Sequence, residues 1–162
     1  MGSSRTIGGS PASCLSAARL EGSSVPVKLT IVANDTVVNM HTGQHWTDTW
    51  DITPKCAAGP CAVEVSGNFA PPGFKIKTFR MTLARHGAAY SGTTRLQVTY
   101  CSTIAVTNTL TLRITVKKAG PEGTEWYALC WAGTLSMRSP YTDAGAGYCP
   151  GGTVDTAVSG SS

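Results

Sequence analysis

Hydrophobic residues recur at every second position in several separate stretches, and that period of two predicts β-strands with one buried face. Val25, Val27, Leu29 and Ile31 alternate with polar or small neighbours. Trp46, Asp48, Trp50 and Ile52 share one parity, which puts a carboxylate in phase with two tryptophans. Val63 and Val65 form a third set, and Phe79, Met81 and Leu83 a fourth. Phe74 and Ile76 hold the other parity, and a phase change inside one strand predicts a β-bulge at Lys77-Thr78. The strictest alternation is Leu96, Val98 and Tyr100, then Leu110, Leu112, Ile114 and Val116. Residues 126–133 are apolar at both parities. They predict a strand pressed from two sides or closing a barrel, with Gly133 allowing it to bend.

Turn chemistry separates these stretches. Pro54, Gly59 and Pro60 set a reversal between two strands, because proline donates nothing to a ladder and glycine accepts positive φ. His86-Gly87 turns into Ala89-Tyr90, and Gly120-Pro121-Glu122-Gly123 reads as a hairpin loop. Residues 139–152 form a long polar loop, and residues 153–158 a last short strand. Asn34-Asp35-Thr36 has turn chemistry and matches a glycosylation sequon, a pattern common by chance. Residues 1–24 are rich in Gly, Ser and Ala and are assigned to a flexible tail or linker. Residues 25–158 then make a single β domain, with 159–162 a short tail. Eight or nine short strands with no 3.6-residue period predict an all-β fold. An antiparallel meander β-barrel of about eight strands is favoured, with a two-sheet β-sandwich as the alternative.

Composition narrows the setting. Charged residues are 14% of the 162 residues, and 13 Lys and Arg stand against 9 Asp and Glu. The basic residues are scattered and not interleaved with stacking aromatics, so no nucleic-acid footprint is expected. No run approaches the roughly 20 apolar residues of a membrane-spanning helix, so no transmembrane segment is expected. Six cysteines, Cys14, Cys56, Cys61, Cys101, Cys130 and Cys149, are many for a reducing compartment and point to a secreted or extracytoplasmic, envelope-associated chain. Their single Cys-x4-Cys followed by wide gaps suits disulfides better than zinc. Cys56–Cys61 is expected as a local clamp and Cys101–Cys149 as a long-range tie. Cys14 and Cys130 would then be a third pair or two free thiols.

The string Trp50-Asp51-Ile52-Thr53-Pro54-Lys55-Cys56-Ala57-Ala58-Gly59-Pro60-Cys61 resembles a motif of uncharacterised secreted proteins and lipoproteins of actinobacteria. It is also similar to extracytoplasmic regions of some of their membrane Ser/Thr kinases. Tyr90-Ser91-Gly92-Thr93 leading to Cys101, then residues 126–135, and Cys149 before Val154 extend the likeness over about residues 46–158. The resemblance implies location and fold and carries no activity. Cys14 and Cys130 have no counterpart in it.

Chemistry is sparse. His41 and His45, with Asp48 three residues further on, are the weak metal candidates, since histidines four apart chelate zinc from a helix. Gly43 and the adjacent alternation place them in a loop entering a strand, which puts Asp48 on the face opposite His45. No metal and no cofactor is expected. No serine sits in Gly-x-Ser-x-Gly, and no carboxylate pair is marked for sugar cleavage. A small secreted hydrolase built from His41, His45, Asp48 and His86 is the enzymatic alternative. The aromatic set Trp46, Trp50, Tyr100, Trp126, Tyr127 and Trp131, with Asp48 or Arg113 as polar anchor, is the candidate ligand site. As core filling, the same residues need no ligand. The favoured expectation is a non-enzymatic barrel binding a small apolar ligand, an envelope glycan or a protein partner. A structural interaction module without a pocket is the remaining alternative.

Overall fold

The computed structural model describes residues 11–35, 40–71, 77–100, 104–140, 142–144, 147–149 and 151–161. A short helix α1 (Ala12–Ala17) leads into strand β1 (Ala18–Arg19). Then follow β2 (Gly22–Asn34), β3 (His45–Pro54), β4 (Val63–Phe69), β5 (Lys77–His86), β6 (Ala89–Tyr100), β7 (Ile104–Glu122) and β8 (Glu125–Ser139). A small hairpin, β9 (Thr142–Ala144) and β10 (Gly147–Cys149), precedes the last strand β11 (Gly152–Ser161). The sheet runs β1-β8-β11-β2-β3-β4-β5-β6-β7, and β7 pairs back onto β8. The result is a closed antiparallel barrel of eight strands with β1 as one outer strand.

Closure follows from the alternation. Val25, Val27, Leu29 and Ile31 on β2, Trp50 and Ile52 on β3, and Leu110, Leu112, Ile114 and Val116 on β7 all face one buried interior. Burying such side chains is worth about 1.5–3 kcal/mol each, and an eight-stranded barrel is just wide enough for side chains to fill it. Two hairpins turn tightly on Gly87 and Gly123, at φ 61° and 63°. Among the described residues Ser24 alone is a non-glycine with positive φ, so each glycine takes the one positive-φ position of its turn. That is the arrangement whose twist matches the flanking strands.

Four expectations are revised. The tail assigned to residues 1–24 does not extend as a tail from Pro11 on: Ala18 and Leu20 are 1% and 2% exposed and belong to the core. At the other end, Ser159–Ser161 belong to β11, paired with Ala132, Trp131 and Cys130. Residues 126–133 are not pressed from two sides. Buried Ala128 and Trp131 are three apart, with Leu129 exposed, because the β7–β8 register shifts between Val116 and Ala119. Such a shift changes the inward parity, which makes one strand look apolar at both. The bulge expected at Lys77-Thr78 does not appear in the β4–β5 ladder, which is regular from Val63↔Leu83 to Phe69↔Lys77. Phe74 and Ile76, which motivated it, lie outside the described residues.

Candidate functional site

On β3, Trp46, Asp48, Trp50 and Ile52 face the interior and His45, Thr47, Thr49 and Asp51 face outward. Trp50 is fully buried. Its indole stacks on Trp131, with centroids 5.7 Å apart and planes 19° apart, and meets Phe79 edge-on at 5.3 Å. Two glycines make room for this pair. A Cβ on Gly67 would lie 2.2 Å from Trp50 Cδ1, and one on Gly160 would lie 2.3 Å from Trp131 Cζ2. Trp50 and Trp131 therefore fill the barrel and are not exposed stacking surfaces.

Asp48 is a structural carboxylate. Its Oδ2 accepts from Trp50 Nε1 at 3.1 Å and from the Asn68 backbone N–H at 3.0 Å, and its Oδ1 from the Thr49 N–H at 2.8 Å. The β3–β4 ladder stops at Asp51↔Ser66, so Asp48 takes up a β4 donor beyond the last rung. Charge-assisted bonds of this kind are roughly twice as strong as neutral ones. The carboxylate is thereby committed to the fold.

Trp46 differs. It is half-buried against the core, and its Nε1 is buried with no hydrogen-bond partner. It stands near the start of β3, at the barrel end opposite the β3–β4 connection. The same end holds an interior polar pair that the sequence analysis did not single out. Asn108 and Ser139 are 1% and 3% exposed, Ser139 Oγ donates to Asn108 Oδ1 at 2.9 Å, and Asn108 Nδ2 contacts Met137 Sδ at 3.5 Å. The signal for Asn108 was present in the sequence, since it falls on the apolar parity of Val106 and Leu110, as Asp48 does among tryptophans.

The other candidates disperse. Arg113 is exposed on the outer wall, in a cleft with Thr111, Thr134, Ser136 and Asp155, so it cannot anchor a ligand inside. Tyr100 closes β6, paired with Ile104, and its side chain lies outside the described residues. Trp126 and Tyr127 sit at the far end, where they pair with Ala18 and Arg19. Tyr127 donates to Glu125 Oε2 at 3.0 Å, and that bond pushes its phenol above the ordinary value. His41 and His45 are exposed at the Trp46 end and His86 is exposed at the opposite end. Among the described residues no three His, Cys, Asp or Glu side chains gather as a metal site. The Asn34 amide of the sequon donates to the Met40 carbonyl.

Cys56 and Cys61 form the expected disulfide, with Cα atoms 6.2 Å apart. Cys14 and Cys130 are half-buried and unpaired, which selects free thiols over a third bridge. Of the expected Cys101–Cys149 tie, Cys101 and the side chain of Cys149 lie outside the described residues.

Fold and contacts define a closed, disulfide-bearing β-barrel with a packed centre and a buried Asn108–Ser139 pair toward one end. Comparison with known families, with curated proteins and with solved structures returns no match for this chain.

Proposed function

We propose that this chain is a non-enzymatic extracytoplasmic binding domain. Its ligand is small and largely apolar, carries a hydrogen-bond acceptor, and engages the barrel end marked by Trp46. The observation behind this reading is the buried Trp46 Nε1 donor without a partner. A buried N–H left unpaired costs about 1–3 kcal/mol, and a ligand oxygen would remove that cost. Barrels of this size commonly take one small ligand at the mouth. Extracytoplasmic placement rests on six cysteines, the Cys56–Cys61 bridge and the resemblance of residues 46–158 to actinobacterial secreted domains. Among the described residues no helix is long and apolar enough to cross a membrane.

The competing readings have less support. A sugar platform needs exposed tryptophans, whereas Trp50 and Trp131 are buried. A pocketless interaction module needs a broad apolar patch. Among the described residues the exposed large hydrophobics are Val32 and Leu129, on different strands and at opposite barrel ends. A hydrolase using His41, His45, Asp48 and His86 would have to join residues at two ends, with Asp48 already bonded to three donors.

Native mass spectrometry of the oxidised protein, incubated with a cell-envelope extract, tests the proposal. A discrete added mass is expected, with affinity about tenfold lower in Trp46→Phe, which keeps a ring and loses the donor. A bare mass, or an adduct indifferent to Trp46→Phe, contradicts it. An adduct of sugar mass would replace the apolar ligand by a glycan.

A further inference from the structure

At the barrel end remote from Trp46, residues 12–20 place Ala18 and Leu20 in the core, and one arginine ties that segment to the disulfide loop. Arg19 is 9% exposed. Its Nη2 donates to the Cys56 carbonyl at 2.9 Å, and its Nη1 to the Gly59 carbonyl at 3.0 Å and toward Cys56 Sγ at 3.6 Å. Its Nε donates to Glu21 at 3.1 Å. A planar guanidinium can serve two carbonyls at once only if the loop holds both at a fixed separation. Gly59, at φ 74°, also donates its N–H to Glu125 Oε1 at 3.1 Å, so β8 grips the loop from the other side.

Leu15, Ala18 and Leu20 pack on the core, but among the described residues the remaining polar ties on the segment are few. Strand β1 pairs with β8 at only two positions, Ala18↔Trp126 and Arg19↔Tyr127. Arg85 donates to the Ser16 carbonyl, and the Tyr90 hydroxyl reaches the Ala18 carbonyl at 3.5 Å. Helix α1 has six residues and no side-chain cap, so it has little stability of its own. The segment is held by its seat, and the Arg19 fork is the strongest polar part of that seat.

We propose that residues 12–20 are a thiol-sensitive latch over this end of the barrel, held shut while the Cys56–Cys61 disulfide fixes the loop that Arg19 grips. A dithiol reductant opens it. One thiolate attacks a disulfide sulfur to give a mixed disulfide, and the second thiol displaces the protein sulfur. Cys56 and Cys61 end as two thiols, and the reductant as a cyclic disulfide, with two electrons and two protons transferred. The loop then gains conformational freedom, its two carbonyls no longer match the guanidinium fork, and Ala18 and Leu20 leave their seat. The latch acts at the end opposite the proposed ligand site and does not depend on that reading.

Hydrogen–deuterium exchange on the full chain tests this. In the oxidised protein, amides in residues 12–20 are expected to be protected. Dithiothreitol is expected to speed their exchange roughly 10- to 100-fold, with residues 110–116 of β7 unchanged. Cys56→Ser combined with Cys61→Ser, without reductant, should match the reduced protein and isolate this bridge from any other. Arg19→Lys, with the disulfide intact, should also release residues 12–20, because one ammonium nitrogen would replace the three nitrogens that hold Glu21, Gly59 and Cys56 separately. Unchanged exchange in residues 12–20 on reduction or in Arg19→Lys overturns the latch. So does a uniform rise over all strands, which would make the bridge a support of the whole wall.

Discussion

Asp48→Ala removes one carboxylate and strands three donors at once. The Thr49 N–H is on the exposed side and regains water, so it contributes little. The Asn68 N–H and Trp50 Nε1 are part-buried and lose a charged acceptor at 3.0 and 3.1 Å. Hydrogen bonds to charged groups are worth about 1.5–3 kcal/mol each, so the two together predict a loss of about 3 kcal/mol at the lower bound. With a urea slope near 2 kcal/mol/M, the unfolding midpoint should fall by about 1.5 M. Asp48→Asn keeps one oxygen acceptor and should lose about half as much. The assay is urea unfolding followed by tryptophan fluorescence, with Trp50→Phe alone and in combination. Removing either partner breaks the same bond, so the two changes should couple by about 1 kcal/mol. An Asp48→Ala protein within about 0.5 kcal/mol of wild type, or strict additivity with Trp50→Phe, would refute the structural role given to this carboxylate.

Two further outcomes follow from the packing and the buried phenol. Gly160→Ala should destabilise by about 1–3 kcal/mol, because its Cβ would stand 2.3 Å from the Trp131 ring in a filled interior; an unfolding midpoint equal to wild type would contradict that packing. Burial pushes the Tyr90 hydroxyl above 10.0, against the opposing pull of the Arg85 charge. The folded state therefore keeps this proton longer than the unfolded state, so stability is level below pH about 10 and falls as pH rises from there through the folded value. Urea midpoints measured across that range should show the decline, and Tyr90→Phe should make it shallower, leaving the part due to Tyr127, whose phenol is raised as well.

The strands were legible because the pattern that specifies them is local. Val25 to Ile31, Trp46 to Ile52 and Leu110 to Val116 each announce an inward face, and the buried residues are those of that parity. The Cys56–Cys61 clamp was legible for the same reason, five residues apart across a Pro- and Gly-rich reversal. Residues 12–20 were not, because their order comes from a seat supplied by distant strands: Arg19 reaches Cys56 and Gly59, 37 and 40 positions on. Residues 126–133 misled because a register shift superposes two parities in one strand. For the site, in-phase Asp48 was visible as an anomaly, but alternation cannot tell a carboxylate that braces a wall from one that meets a ligand. The roles of Trp50 and Trp131 were hidden likewise, since one fills the barrel only by stacking on the other across it.

The most direct test of the binding account uses the indole N–H signals of the four tryptophans in a proton–nitrogen correlation spectrum. Titration with the ligand fraction recovered from the envelope extract should move the Trp46 signal. The Trp50 signal, already bonded to Asp48, and the signal of Trp131 in the core should stay in place. Trp126, at the latched end, should also be unaffected. A stationary Trp46 signal with saturating ligand, or a shift confined to Trp126, would contradict the assignment of ligand binding to the Trp46 end of the barrel.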